Sequence, residues 1–438
     1  MSVGHFPVAG HDPVQARMMG TDDIADLRRR HRAAVRRALA AGFDLVYVYA
    51  GHGLNAIGQF LDPRLNQRTD GYGGTLANRA RLLREDICEC IGCNICVSGD
   101  TTITPIRCTQ NPTMGEEWRR GWHPERIRPR TSEAKVLVVG AGPAGLEAAQ
   151  ALGKRGYEVV LAEATRSLGG RVEREARLPG LAAWIRVLDY RRSQIDRLPS
   201  VEVALESRLT ADEILSYDFQ HVAIATGARW RDDGAGRWHP RGLPIADGVE
   251  VLTPDDLLAG ARPRGSRVVL FDDDHYYLGG VLAELLVSES FEVTLVTPAA
   301  RVSEWSVNTM EQERIQRRLL ELGVTVATAQ TLVAIEAGTA RTACVYTGRE
   351  ADQACDCVVL VTSRLPEDVL FAELTARTDE WGEAGIASVR TVGDAWCPGT
   401  IAAAVWDGRR YAEELDEPDP GDGVPFLREI VLLADGGG

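Results

Sequence analysis

Residues 135–164 read "KVLVVGAGPAGLEAAQALGKRGYEVVLAEA", and this stretch decides the fold of the larger part of the chain. An apolar run leads into three glycines with the spacing G-x-G-x-x-G, namely Gly140, Gly142 and Gly145. This order predicts a strand, a tight turn, a helix and a second parallel strand, the unit that binds a pyrophosphate at a helix N-terminus. Glu163 ends the second strand, where a carboxylate can accept hydrogen bonds from the ribose hydroxyls of an adenosine.

Two later stretches fit the same unit. "HVAIATGA" (221–228) and "VRTVGDA" (389–395) each read as a short strand followed by a turn. We expect both to return to the nucleotide, with Asp394 at a ribityl or ribose hydroxyl. The nucleotide is ADP or FAD, and the residues do not choose between them. The predicted contacts are Gly140, Ala141, Gly142, Ala144, Gly145, Glu163, Gly170, Arg171, Thr226, Gly227, Gly393 and Asp394.

A second stretch at 266–299 repeats the strand, turn, helix and strand outline. Its turn carries Asp272, Asp273 and Asp274 where a phosphate-binding turn needs glycines. Three carboxylates at a helix N-terminus would repel a pyrophosphate, and their side chains would block the backbone. We therefore predict a second nucleotide-binding-like domain without a working NAD(P) site.

Composition sets the broad class of protein. A chain of 438 residues should hold two or three domains. The formal net charge of −14 argues against nucleic acid and anionic membrane as partners. No apolar run approaches the ~20 residues of a membrane span, and "MSVGHFPVAGHDPV" lacks the features of a secretory signal. These observations predict a cytoplasmic protein, and in that reducing compartment clustered cysteines are more often metal ligands or redox groups than disulfides.

Such a cluster of cysteines lies in "ECIGCNICVSGDTTITPIRC" (89–108). Cys90, Cys93 and Cys96 follow the pattern C-x2-C-x2-C, and Cys108 supplies a fourth thiol. Four thiolates suit a [4Fe-4S] cluster, and a zinc site built from four cysteines is the alternative. The triple spacing favours the cluster, because zinc ribbons usually pair two C-x2-C turns. Cys344, Cys355, Cys357 and Cys397 are scattered and are predicted to be small buried apolar residues.

The region before the cysteines reads as a piece of a parallel α/β fold. A helix is predicted over 21–41, a buried strand over 43–50, a glycine-rich loop over 51–74 and a further helix from 75. These roughly 86 residues cannot form a complete TIM barrel, which needs about 250 residues.

Five motifs together resemble one family: "GFDLVYVYAGHG" (42–53), "RTDGYGGTLANRAR" (68–81), "ECIGCNIC" (89–96), "CTQNPTMGEEWRRGWHPE" (108–125) and "VVGAGPAGLEAA" (138–149). They look like the iron–sulfur flavoproteins of the trimethylamine, dimethylamine and histamine dehydrogenase group. Wider relatives are the 2,4-dienoyl-CoA reductases and the old-yellow-enzyme-type flavin oxidoreductases. The resemblance covers essentially the whole chain.

The resemblance implies a TIM barrel with FMN, a [4Fe-4S] cluster and an ADP- or FAD-binding domain like that of glutathione reductase. Electrons would pass from an amine substrate to FMN, then to the cluster, then to an electron-transferring flavoprotein. Cys90, Cys93, Cys96 and Cys108 would be the cluster ligands. Tyr49 and His52 would be the catalytic residues on the substrate side of the flavin.

The chain departs from the family in its barrel, because the strands that hold FMN covalently and grip its phosphate have no counterpart. The fold class is therefore α/β, with an incomplete TIM-barrel fragment, a cluster segment and two Rossmann-like domains. The expected boundaries are 1–86 for the barrel fragment, 87–130 for the cluster segment and linker, 131–248 with 384–438 for the nucleotide domain, and 249–383 for the second domain.

Three functions remain open at this level. The first is an amine dehydrogenase whose barrel is completed by another polypeptide. The second is an NAD(P)H-dependent reductase of the 2,4-dienoyl-CoA or enoate type. The third is a non-catalytic remnant that carries electrons or binds a nucleotide. The resemblance is also compatible with a homodimer.

Overall fold

The computed structural model describes residues 6–7, 15–40, 56–70, 72–79, 91–102, 104–124 and 126–417. Contacts within the chain divide it into two compact units, Met1–Cys90 and Ile91–Gly438. The predicted strand at 43–50, together with Tyr49, His52 and Cys90, lies outside the described residues.

The first unit contains two short antiparallel strands and three helices in its described part. These are β1 (Phe6–Pro7), β2 (Gln15–Ala16), α1 (Thr21–Ala40), α2 (Ala56–Leu61) and α3 (Leu76–Arg79). Helix α1 matches the prediction for 21–41, and its first turn carries Asp22 and Asp23, which favour the positive end of the helix.

The prediction of an uninterrupted loop over 51–74 is wrong at helix α2. This short helix forms because Ile57 and Phe60 lie one turn apart and are both buried. They pack with Met19 and Ile24 in a small apolar core.

The second unit begins with the cysteine segment and continues into two α/β layers. Its helices are α4 (Ile95–Thr101), α5 (Glu117–Arg120), α6 (Pro143–Arg155), α7 (Arg171–Glu175), α8 (Arg186–Ile195), α9 (Ala211–Ser216), α10 (Pro254–Leu258), α11 (Leu278–Ser288), α12 (Gln312–Glu321), α13 (Val369–Thr375), α14 (Trp381–Ala384) and α15 (Ile401–Glu414). Single turns of 3-10 helix cover Ala182–Ile185, Glu304–Val307 and Gly393–Ala395.

The strands of the second unit follow in chain order. They are β3 (Lys135–Val139), β4 (Glu158–Ala162), β5 (Val201–Ala204), β6 (His221–Ile224), β7 (Ala228–Trp230), β8 (Val251–Leu252), β9 (Arg267–Asp272), β10 (Glu292–Thr297), β11 (Thr325–Thr328), β12 (Gln330–Glu336), β13 (Thr339–Cys344), β14 (Glu350–Ala354), β15 (Cys357–Val361), β16 (Arg364–Pro366) and β17 (Ser388–Thr391).

The first five-stranded sheet has the order β17-β6-β3-β4-β5, and all of its pairings are parallel. Strand β3 lies in the middle and is buried because residues 136–139 are all apolar. The chain leaves β3 through α6 toward β4 on one side, whereas β6 lies on the other side. The carboxyl end of β3 is therefore the point where strand order reverses, the usual place for a ligand in such sheets.

The second five-stranded sheet has the order β11-β10-β9-β15-β8 and is also parallel. Its central strand β9 is followed by α11, which repeats the outline predicted for 266–299. Strands β12, β13 and β14 form a separate antiparallel sheet, and β7 pairs with β16. Among the residues that the structure describes, no helix is long and apolar enough to cross a bilayer.

Candidate functional site

Two glycines of the turn after β3, Gly140 and Gly145, leave no room for a side chain. Gly140 has a φ of 101°, and a Cβ on this residue would lie 2.5 Å from the carbonyl oxygen of Ala225. A Cβ on Gly145 would lie 1.9 Å from the carbonyl oxygen of Gly140. Gly140 therefore permits the tight turn, and Gly145 permits close packing of α6 against it.

The N-terminus of α6 opens onto a cavity of about 510 Å³. Gly142 precedes this 13-residue helix, and no atom lies within 4 Å of the position that its Cβ would take. The first amide groups of a helix have no acceptor within the helix, and together with the helix dipole they favour an anion. The open face of the turn is thus suited to a phosphate group.

The loops after β3, β4, β6 and β17 line the cavity, together with the loop after β9 of the second sheet. Of the predicted nucleotide contacts, all but Gly145 and Gly393 lie in the lining. These are Gly140, Ala141, Gly142, Ala144, Glu163, Gly170, Arg171, Thr226, Gly227 and Asp394. Gly393 instead packs against α6, since a Cβ there would lie 2.5 Å from the Cβ of Ala144.

Glu163 holds the glycine turn as well as facing the cavity. Its Oε2 atom accepts a hydrogen bond of 2.9 Å from the backbone N–H of Ala141. Its Oε1 atom accepts from the backbone N–H of Thr165 at 2.9 Å and from the Thr165 hydroxyl at 2.8 Å. The Oε1 atom thus accepts two hydrogen bonds and the Oε2 atom accepts one, so Oε2 could still accept from a sugar hydroxyl in the cavity.

Asp394 differs from its predicted role, because two arginines already engage its carboxylate. Its Oδ2 atom accepts from Arg364 Nη1 at 2.6 Å and from Arg171 Nη2 at 3.1 Å, and its Oδ1 atom accepts from the Gly399 N–H at 3.0 Å. The Nη1 atom of Arg171 is buried and has no hydrogen-bond partner within the described part of the second unit.

The same arginine connects this carboxylate to the second sheet. Arg171 Nε lies 2.9 Å from Glu175 Oε1, and the Tyr277 hydroxyl donates to Glu175 Oε2 at 2.8 Å. The side chains of Tyr277, Glu175, Arg171, Asp394 and Arg364 thus form one continuous chain of hydrogen bonds, which we call the cavity chain. It joins Asp394, which follows β17 of the first sheet, to Tyr277, which follows β9 of the second.

In the turn after β9, the carboxylates are not arranged as the sequence indicated. The sequence predicted that Asp272, Asp273 and Asp274 would together repel the pyrophosphate of a nicotinamide nucleotide. Asp272 and Asp273 are completely buried and do not line the cavity; only Asp274 does. Asp272 Oδ1 accepts from the His275 N–H at 3.0 Å, and Asp273 Oδ2 accepts from the Trp238 N–H at 2.9 Å. Burial raises the pKa of the Asp272 carboxyl to about 8, and Asp274 adds to this shift. Repulsion by three carboxylates is therefore not the obstacle that the sequence indicated.

Aromatic side chains occupy that side of the cavity instead. Tyr276 and Trp305 stack edge to face with ring centroids 4.7 Å apart, and both line the cavity with Tyr277. His275 has a φ of 65°, a conformation that glycine would adopt more easily. The turn thus has neither the glycines nor the open helix N-terminus of the turn after β3.

The cysteine segment lies at the start of the second unit. Cys93, Cys96 and Cys108 are half-buried, and Cys93 Sγ lies 3.1 Å from the hydroxyl of Thr109. In the part of the chain that the structure describes, no three His, Cys, Asp or Glu side chains are placed to hold a metal ion. The fourth predicted ligand, Cys90, lies outside that part.

The remaining cysteines agree with the expectation only in part. Cys355 and Cys357 are buried, and burial raises the pKa of the Cys357 thiol to about 12. Cys344 is half-buried, and Cys397 is exposed. The prediction that all four are buried apolar residues is therefore wrong for Cys397, which follows an exposed Trp396 on the surface.

Three segments of the chain match known families. Residues 5–95 match the NADH:flavin oxidoreductase / NADH oxidase family, residues 138–196 match an NAD(P)-binding Rossmann-like domain, and residues 252–351 match an OYE-like second alpha/beta domain. Histamine dehydrogenase from Rhizobium sp. 4-9 aligns with 99% of this chain and 81% of its own chain, at 42% identity and a TM-score of 0.79. The chain belongs to this family of flavin oxidoreductases.

Further members of the flavin oxidoreductase family are also similar. A 6-hydroxypseudooxynicotine amine oxidase from Pseudomonas geniculata N1 is 34% identical, with 95% of this chain and 82% of its own covered and a TM-score of 0.73. Dimethylamine dehydrogenase from Hyphomicrobium sp. (strain x) is 39% identical over 79% of this chain and 50% of its own. The chain thus spans about half the length of the curated relatives that it matches.

Arg364, Glu175 and Tyr277 line the cavity but are not among the residues predicted from the sequence. The i,i+4 spacing of Arg171 and Glu175 could have indicated their ion pair. Arg364 carries no such signal, because its place in the cavity depends on the pairing of β16 with β7.

Proposed function

We propose that the chain is part of an iron–sulfur flavoprotein amine dehydrogenase, an oxidoreductase that takes electrons from a small amine. The observation that supports this most is the match along the chain to histamine dehydrogenase. The flavin and the cluster of such an enzyme supply the redox chemistry when they are bound. An electron-transferring flavoprotein or a similar redox protein would receive the electrons.

Cys90, Cys93, Cys96 and Cys108 would hold a [4Fe-4S] cluster. The support is the C-x2-C-x2-C spacing with a fourth thiol downstream, which suits four cysteine ligands. Gly92 and Asn94 have φ values of 73° and 51°, so the chain turns tightly on both sides of Cys93. Thr109 could donate a hydrogen bond to a Cys93 thiolate.

The nucleotide at the turn after β3 would be ADP rather than FAD. The N-terminus of α6 and the unpaired Nη1 atom of Arg171 would bind the phosphates, and Glu163 would accept from the ribose. The choice of ADP depends on Asp394. A ribityl chain would need this carboxylate as an acceptor. The donors to Glu163 are neutral, whereas the guanidinium groups of Arg171 and Arg364 pair with Asp394, which also accepts from the Gly399 N–H, and these charges make its oxygens weaker acceptors.

The substrate and FMN would belong to the region before the cysteines, with Tyr49 and His52 beside the flavin. Residues 1–86 would form only a fragment of the barrel, which another polypeptide would complete. Residues 87–130, 131–248 with 384–438, and 249–383 would be the cluster segment, the nucleotide domain and the second domain. A cytoplasmic location, a homodimer and an amine as substrate belong to the same proposal.

Two measurements test the proposal on purified full-length chain. Metal analysis of protein prepared without air should find about four irons per chain, the content of a cubane cluster. Stoichiometric zinc without iron would refute the cluster. Denatured protein should release ADP, identified by chromatography against ADP and FAD standards. Release of FAD would contradict the role given to Asp394, and failure to bind either nucleotide after reconstitution would refute the nucleotide site.

A further inference from the structure

We infer that Arg191 is the positioning residue of the loop that carries Cys108. Arg191 lies on α8, outside the cavity, and its side chain is completely buried. Its Nη2 atom donates to the backbone carbonyl of Gln110 at 3.1 Å, and its Nη1 atom lies 3.4 Å from the side-chain oxygen of the same residue. The expected effect on iron retention rests on the proposed cluster, whereas the contacts between Arg191 and Gln110 do not depend on it.

The guanidinium of Arg191 also makes hydrogen bonds on the side away from Gln110. Its Nε atom donates to Glu147 Oε2 at 2.8 Å, and its Nη1 atom donates to the carbonyl of Val187 at 2.8 Å. Glu147 belongs to α6, the helix that follows the glycine turn, and is 2% exposed in its side chain. Glu147 Oε1 has no hydrogen-bond partner among the described residues, but Arg409 Nη1 lies 3.9 Å from it and adds a second positive charge beside the buried carboxylate. Arg191 therefore joins the loop at 108–110 to two helices of the nucleotide domain.

Gln110 strengthens the same connection, since its Nε2 atom donates to the carbonyl of Arg186 at 3.3 Å. Gln110 lies two residues after Cys108. Between them lies Thr109, which is 3% exposed and whose hydroxyl is 3.1 Å from Cys93 Sγ. Fixing Gln110 thus fixes a tripeptide that carries one thiol and contacts another. Among the described residues, Arg191 is the side chain that links this loop to Glu147 on α6, and its removal would break that link.

The consequence is a change in the reactivity of Cys108 and in the retention of iron. A cysteine loop that opens more often exposes its thiol to reagents and its cluster to chelators. We expect Arg191→Met to increase the rate of Cys108 alkylation by roughly tenfold, as the loss of about one net hydrogen bond would. We also expect faster loss of iron to a chelator, with an altered electron paramagnetic resonance spectrum of the reduced protein.

The experiment compares Arg191→Met with a matched control, Arg155→Met. Arg155 is 3% exposed and donates to the carbonyls of Ala412 and Leu415 and to that of Arg128, none of which belongs to the loop at 108–110. Its removal therefore tests the general cost of losing a buried arginine. The double variant Arg191→Met/Glu147→Gln avoids leaving Glu147 buried without its partner. Arg191→Lys tests whether charge alone suffices.

Two readouts are taken on each protein. The first is iron loss from the protein as isolated, with melting temperatures measured alongside. The second is alkylation of Cys108 by N-ethylmaleimide after iron removal, followed by peptide mass spectrometry. The inference is supported if both Arg191→Met and the double variant alkylate faster than wild type while Arg155→Met does not. Equal rates in all proteins, or equal increases in Arg191→Met and Arg155→Met, would overturn it. If wild type never holds iron, the cluster proposal fails, but the alkylation comparison still decides the role of Arg191.

Discussion

At the scale of single residues, the surroundings of Glu163 and Asp272 determine what each carboxylate can bind and how readily it ionises. Glu163 accepts from the backbone of the glycine turn and still faces the cavity. Asp272 is buried where the sequence suggested an exposed acid. Both could be located from the sequence, because each ends a strand next to a turn. Their surroundings could not, because burial depends on the packing of segments that are distant in the sequence, as the bond from the Trp238 N–H to the neighbouring Asp273 illustrates.

Replacing Glu163 should weaken nucleotide binding. In Glu163→Ala the ribose loses an acceptor and the Ala141 N–H loses its partner, which together should cost about 1.5–3 kcal/mol of binding free energy. This corresponds to a loss of affinity of roughly 10- to 100-fold. Calorimetric titration of nucleotide-free protein with ADP measures the change. Glu173→Gln is the control, since Glu173 lies outside the cavity lining, and an unchanged affinity in Glu163→Ala would contradict the role of Glu163.

Ionisation of Asp272 should make the protein less stable as pH rises. Its folded pKa of about 8 lies above the unfolded value of roughly 4, so folding favours the protonated form. The contribution of this group to the free energy of unfolding is complete at low pH. It falls by up to about 1.4 kcal/mol for each pH unit between those two values.

Asp272→Asn should therefore reduce the fall in melting temperature between about pH 6 and about pH 8. The amide keeps the shape and the acceptor for the His275 N–H but cannot ionise. Asp379→Asn, at an exposed carboxylate, should behave like wild type. An identical pH dependence in wild type and Asp272→Asn would show that Asp272 is not the group responsible.

At the scale of elements, the turns after β3 and β9 both connect a central parallel strand to a helix, but they differ in the side chains they carry. The first has glycines and an open helix N-terminus. The second has a left-handed His275 and the stacked rings of Tyr276 and Trp305. The sequence predicted the strands and helices around both turns, because their apolar runs and glycine spacings are local signals. It failed on the direction of the Asp272 and Asp273 side chains, which the chain outside the turn determines.

We expect the turn after β9 to bind neither NADH nor NADPH, now because aromatic side chains occupy its side of the cavity. Calorimetry on Gly142→Asp isolates this turn, since an aspartate there should abolish binding at the first turn through charge repulsion. Gly142 has a φ of −70° and open space at its Cβ position, so the variant should fold. Binding of NADH to Gly142→Asp at micromolar strength would contradict the prediction and favour a reductase.

At the scale of the whole molecule, the family and the Rossmann-like fold could be predicted from sequence motifs. The structure confirms the strand, turn and helix predicted from the glycine spacing, and the comparisons confirm the Rossmann-like domain and the family. The cluster and the catalytic pair remain predictions, because Cys90, Tyr49 and His52 lie outside the described residues. The cavity chain could not be predicted, since it joins residues up to 223 positions apart.

The chain by itself should not oxidise dimethylamine, trimethylamine or histamine. The proposed barrel fragment of residues 1–86 is much shorter than the roughly 250 residues of a complete barrel, so FMN should bind weakly without its phosphate and ring contacts. The assay follows reduction of an artificial electron acceptor by purified chain in the presence of added FMN. Dimethylamine dehydrogenase from Hyphomicrobium sp. (strain x) serves as the positive control. Amine-dependent turnover by this chain, together with one bound FMN, would refute the prediction.

The cavity chain also restricts how this protein can diverge. Arg171 and Arg364 share Asp394, and Arg171 also pairs with Glu175, so a substitution at Arg171 leaves two carboxylates without a charged partner. Viable changes at these positions should therefore arise in pairs, and they should be inherited together. A variant that used Asp394 as the acceptor for a ribityl hydroxyl would have to release this carboxylate from both arginines. A protein that carries only one of the two substitutions would be less stable than either the starting protein or the double variant. The present arrangement should therefore be difficult to change by single substitutions.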